Sequence, residues 1–298
     1  MKHPPSTVLV LLSLFLLAQF IGLFVLDSYI DKELTAETGV VTYKELPAGI
    51  ERPDIAPDYA FVFIAVAILI GTGILLLIMK FRRFNLWKLW YFLAVTLSLA
   101  IAWAAFIPQA MALFAAFIAA VMKVLKPNFI IHNLTELFIY SGLAAIFVPI
   151  MNVFSASVLL LLISAYDMYA VWKSRHMVKM AKFQTASNLF AGLAIPKTIP
   201  LVTKTTAAIK NKKIKAGKKI PKEEKVAIIG GGDIGFPLLF AGTVMANVGF
   251  QASFLIPAFA ALGLAVLFLI SKKGKFYPAM PFVSAGCFIG YGFIRFIL

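Results

Sequence analysis

The sequence predicts an all-α membrane protein of nine transmembrane helices, with the N-terminus in the cytoplasm and the C-terminus outside. Three observations lead there. Of 298 residues, 61% are hydrophobic and only 14% charged, whereas a soluble domain is about 45–50% apolar and about 25% charged. The apolar residues fall into runs near the 20 or so needed to cross a bilayer. The formal net charge of +15 is carried mainly by the links between those runs. A water-soluble enzyme of ordinary composition is excluded, because so large an apolar excess has no interior to occupy.

The spans are read in order as 7–26, 59–79, 88–107, 109–125, 129–150, 153–172, 226–247, 251–270 and 277–297. The first is longer than a signal-peptide core and is followed by no small-residue cleavage site, so it is expected to be retained. Pro149, Pro237 and Pro257 lie within spans, where neighbours or water can satisfy the freed carbonyls. Two links are long. Residues 27–58 carry eight acids and three bases, and residues 173–225 carry fourteen Lys or Arg and two acids. The chain therefore divides into a six-helix part (1–172), a basic loop (173–225) and a three-helix part (226–298). Within the loop, 173–195 is expected to extend span six or lie in the interface. Residues 196–203, with Pro196 and Pro200, should be extended. The lysine-rich 210–225 is expected to be a solvated linker attractive to anionic lipid.

Orientation follows from the basic residues. With the N-terminus inside, the cytoplasmic segments hold Lys2, Lys80, Arg82, Arg83, Lys88, Lys123, Lys126, the fourteen of the long loop, Lys272, Lys273 and Lys275. That is 24 of the 28 bases. The single cysteine, Cys287, rules out a disulfide within the chain. Neither a cysteine-based metal site nor a His-Glu-x-x-His element is present. No metal or cofactor is expected. Nucleic acid is not expected as a partner, since the basic run has no interleaved aromatics and no recognisable module.

Three of the thirteen acids remain inside spans: Glu136, Asp167 and Asp233. An intramembrane carboxylate is costly and points to function by default. Asp167 near the end of span six and Asp233 near the start of span seven both lie about 7–11 Å below the cytoplasmic surface at 1.5 Å rise per residue. Two carboxyls at one depth can share a proton, one activating water and the other donating to a scissile carbonyl. The bland alternative is a protonated acid bonded to a neighbouring helix. Glu136 shares a helix face with His132 and reads as a structural pair. As a competing class, the same acids would serve an ion channel or proton-coupled transporter. Gly230, Gly231 and Gly232 loosen the start of span seven. Ile228 and Ile229 before them favour extended geometry and would offer an edge for strand pairing. Pro278, Ala279 and Met280 open span nine at the same level.

Tyr166-Asp167, Gly230-Gly231-Gly232-Asp233 and Pro278-Ala279-Met280, in this order, resemble the three signatures of the presenilin family of intramembrane aspartyl proteases: Tyr-Asp, Gly-x-Gly-Asp and Pro-Ala-Leu. The resemblance covers the whole chain. It implies a presenilin-like fold, with Asp167 and Asp233 as the catalytic pair. Tyr166, Ile228, Ile229, the three glycines and 278–280 would shape the site. Met280 departs from the family's Leu while conserving volume and apolarity. The cytoplasmic basic loop distinguishes the chain from signal peptide peptidases, which look inverted. The modest loops are similar to microbial, especially archaeal, homologues. The implied partners are transmembrane helical substrates and membrane lipids, with no obligatory accessory subunit, in the plasma membrane.

Overall fold

The computed structural model describes residues 4–81, 83–126, 128–174, 189, 191–196, 226–272 and 277–297. Nine helices of 16 residues or more form among them. They are α1 (Pro5–Tyr29), α2 (Ala60–Lys80), α3 (Phe84–Ala104), α4 (Gln109–Leu125), α5 (Phe129–Phe147), α6 (Val153–Tyr169), α7 (Gly231–Val248), α8 (Leu255–Ile270) and α9 (Met280–Ile297). Eight of them coincide with a predicted apolar run to within about four residues, and α7 starts five residues later than expected. Among the described residues, seven helical stretches are long and apolar enough to cross a membrane. Helix α4, at 17 residues, is shorter, and α7, which opens on Gly231-Gly232-Asp233, is not one of the seven.

Local chemistry sets the boundaries. Asn152 caps α6 by accepting from Ser155 N at 2.8 Å, and Ser155 returns the bond in a capping box. Asn128 caps α5 through Ile130 N. Pro149 lies in the 3₁₀ turn Val148–Ile150 that ends α5. The acidic link 27–58 carries one short α-helix, Lys32–Thr38, capped by Asp31 and stopped by Gly39 in the left-handed region at φ 70°. Arg52 pins the same link to the bundle, donating to Ala145 O and Lys44 O. It also stacks over Tyr43, whose phenol burial pushes up to about 12.

Helix α1 runs through the middle of the bundle. Leu11, Phe15, Ala18, Leu23 and Leu26 are fully buried against α5, α7 and α8. Lipid tails give no hydrophobic drive between helices, so close backbone approach supplies the packing. A Cβ at Gly142 would strike the Ser98 carbonyl, tying α5 to α3. Cβ atoms at Gly263 and Gly286 would strike Phe282 O and Phe259 O, tying α8 to α9 along their length.

Two expectations need correction. The segment 226–230, assigned to span seven, is a strand, and 192–196 is a strand, where 173–195 is expected to extend span six or lie in the interface. β1 (Gly192–Pro196) and β2 (Val226–Gly230) form an antiparallel pair in the register Gly192↔Gly230, Ala194↔Ile228. The cause is local: β-branched Val226, Ile228 and Ile229 end at three glycines, so the helix starts only at Gly231. Span six is prolonged by a π turn, Ala170–Ser174. The lysine-rich 210–225 and most of 196–203 lie outside the described residues.

Replacing Gly286 with Leu should overpack the α8–α9 contact. The expected loss is about 1–3 kcal/mol, read as a lower midpoint of thermal unfolding in detergent.

Candidate active site

Asp167 and Asp233 come from different helices, and each carboxylate is held by a helix N-terminus. Asp167 lies in the last turn of α6 and is 3% exposed. Its Oδ2 accepts from Met280 N at 3.1 Å, and the Ala279 N–H is also bonded to it. The acid of the Tyr-Asp signature thus caps the helix that opens with Pro278-Ala279-Met280. One turn back, Ser164 Oγ donates to Ser284 Oγ at 2.8 Å and fastens α6 to α9 beside the acid.

Asp233 is the third residue of α7, after the N-cap Gly230. Its carboxylate accepts from the Gly230 backbone N–H, the return half of a capping box. The glycines make room for it. A Cβ at Gly230 would meet Asp233 Oδ2 at 3.2 Å, and one at Gly231 would meet Tyr140 Oη at 2.8 Å. Gln19 on α1 donates to Ile234 O at 2.7 Å and steadies the same turn. The two aspartates fall within electrostatic reach of each other.

The sequence-derived residues therefore converge unevenly. Asp167 is held by 279–280 and Asp233 by Gly230, and the two acids interact with each other. Met280 is 3% exposed and packs into the main apolar cluster. Ile229 is buried and Ile228 is 47% exposed. Tyr166 is half-buried beside Asp167.

Glu136 interacts with His132 on the same helix face and has a second, cationic partner. It bonds Lys123 Nζ at 2.8 Å, with both side chains 1% exposed. The same ammonium donates to Thr135 Oγ1 at 2.7 Å. Lys123 therefore belongs inside α4, not to the cytoplasmic charge. Glu136 Oε2 accepts a short bond from Tyr140 Oη and one from Gly192 N at 3.0 Å. His132 Nε2 bonds Gly192 O at 2.7 Å. Asn133 accepts from Ala194 N at 3.0 Å and donates to Ala194 O at 2.7 Å. His132 and Asn133 carried no warning in the sequence beyond polarity on an apolar helix.

These bonds fix the orientation of the sheet. Backbone groups at alternate residues of a strand point to opposite edges. Gly192 and Ala194 face α5, so Leu193 and Ile195 face β2. On β2, Ala227 and Ile229 then face β1, and the Gly231 N–H that bonds Ala191 O at 3.2 Å continues that side. Val226, Ile228 and Gly230 face the other edge, which carries no strand among the described residues. Asp233, bonded to the Gly230 N–H, stands at the end of that open edge.

Residues 21–298 match the family described as signal-peptide peptidase, presenilin aspartyl protease. The chain belongs to this family. It is an aspartic intramembrane endopeptidase and a multi-pass integral membrane protein. Two solved structures, of a presenilin family intramembrane aspartate protease in the P2 and C222 space groups, share its fold at TM-score 0.60 and 17% identity. The first alignment covers 97% of this chain and 98% of that one, and the second covers 98% and 99%. Comparison with curated proteins gave no match.

Removing one partner of a buried ion pair strands the other charge. Lys123→Met should destabilise this presenilin-family protein by about 3–5 kcal/mol. Adding Glu136→Gln should restore much of that, measured by unfolding of both variants in detergent.

Proposed function

We propose that this protease cleaves single-span helical substrates near their cytoplasmic ends, with Asp167 and Asp233 as its catalytic pair. The observation that carries the reading is the convergence of the two carboxylates from α6 and α7, each anchored by a helix N-terminus. In water-poor surroundings, these N–H groups do the solvating that water would otherwise do. Two interacting carboxyls hold one proton between them and titrate as a unit. The ionised group takes a proton from water as it attacks the scissile carbonyl. The protonated group donates to the developing oxyanion. Proton return to the amine then releases both products, with no covalent intermediate.

Nine spans with a cytoplasmic N-terminus are the topology we assign, on the lysine and arginine bias and on α4 and α7, the two helices beyond the seven that are long and apolar enough to cross a membrane. Water then reaches the pair from the cytoplasm. The plasma membrane is the assigned location, and the chain acts without an accessory subunit. Tyr166 and the Pro278–Met280 turn shape the pocket.

A helical substrate shields its peptide bonds with its own hydrogen bonds and must unwind before cleavage. The open edge of β2 offers replacement partners: an extended substrate segment adds as a third strand, paired to Ile228 and running toward Asp233.

Purified protein should release defined products from a transmembrane peptide, identified by mass. Asp167→Asn or Asp233→Asn should each lower turnover by at least about a hundredfold, and full activity in either would refute the pair. Ile228→Pro removes the N–H on the open edge and should abolish cleavage. Liposome flux dependent on both aspartates, without peptide products, would instead indicate a channel or proton-coupled transporter.

A further inference from the structure

We infer that His132, Asn133 and Glu136 of α5 are positioning residues that stand in for a missing strand and keep the substrate-pairing sheet formed before substrate arrives. The inference rests on the strand-addition reading above. A two-stranded ribbon is at best marginal by itself, and unpaired backbone groups in a membrane interior cost several kcal/mol each. Here the outer edge of β1 has neither problem. Gly192 N is taken by Glu136, Gly192 O by His132, and both groups of Ala194 by the carboxamide of Asn133. The Asn133 side chain has the same donor and acceptor geometry as a peptide unit, so it completes the ladder as a neighbouring strand would.

The three side chains leave α5 from one face, at positions i, i+1 and i+4. Glu136 is the least free of them. Lys123 holds one oxygen, while Tyr140 and Gly192 N share the other. Tyr140 in turn lies against Gly231, where α7 begins. One helix face thus fixes both β1 and the turn that carries Asp233. It also closes β1 to any incoming strand, so the edge beside Asp233 is the one left for pairing.

The consequence is preorganisation. A substrate that meets a formed edge orders only itself, whereas one that meets a frayed sheet must order the sheet as well. The difference falls on binding and not on the chemical step, so it is read in KM.

Asn133→Ala is the primary test, because Asn133 lies outside the buried ion pair and is only half-buried. With the purified full chain and a transmembrane peptide substrate, KM should rise about tenfold for two lost hydrogen bonds, while kcat stays within about twofold. Ala194→Pro deletes the N–H facing Asn133 and leaves the β1–β2 ladder intact. It should raise KM in the same way without touching α5, which keeps the inference testable if Asn133→Ala folds poorly. A fall in kcat at unchanged KM in both variants, as loss of folded enzyme produces, would overturn the inference. So would wild-type constants in both. If Ile228→Pro cleaves normally, strand addition fails and takes this inference with it. If Ile228→Pro is inactive while both variants keep wild-type KM, the preformed-sheet inference alone fails.

Discussion

The hydrogen bond from Met280 N to Asp167 is the contact on which the arrangement of this protein turns. It joins the end of α6 to the beginning of α9 across more than a hundred residues of chain. A helix N-terminus inside a membrane has donors with no water to meet them, and a carboxylate has acceptors in the same position. Each solves the other's difficulty. The Pro-Ala-Met turn and the Tyr-Asp acid are therefore two halves of one capping interaction. Displacing either helix would break it, so Ser164 and Ser284 one turn away act as a second fastening.

The same logic recurs at α7 in a local form. Asp233 folds back onto its own N-cap, and the glycines before it are small because two side groups, its own carboxylate and the Tyr140 phenol, occupy the space a Cβ would need. The strand before that cap is non-helical backbone among apolar helices. It is tolerated because protein groups cover it: β1 on one side, and behind β1 the polar face of α5.

The helical frame was legible in the sequence because long apolar runs have one stable outcome in lipid. The helices in runs one to six, eight and nine begin and end within about four residues of the expected bounds. The start of span seven was misjudged by five residues, since Val226–Gly230 is as hydrophobic as a helix, and hydrophobicity does not distinguish the two. β1 was invisible for a different reason. Its five residues are held by His132, Asn133 and Glu136, which are distant in sequence, and no local pattern reports a partner of that kind. The aspartates were found because an acid in an apolar run is conspicuous. Lys123 was misplaced because a base near the end of a span normally belongs to the interface, and only its partner on the next helix reveals otherwise.

The Lys123–Glu136 pair also has an electrical consequence. A membrane potential does work of about 2.3 kcal/mol per elementary charge per 100 mV on any charge that crosses it. A cation and an anion bound at 2.8 Å move together as a dipole of no net charge. The electrical work on the two charges therefore cancels wherever the pair sits in the field.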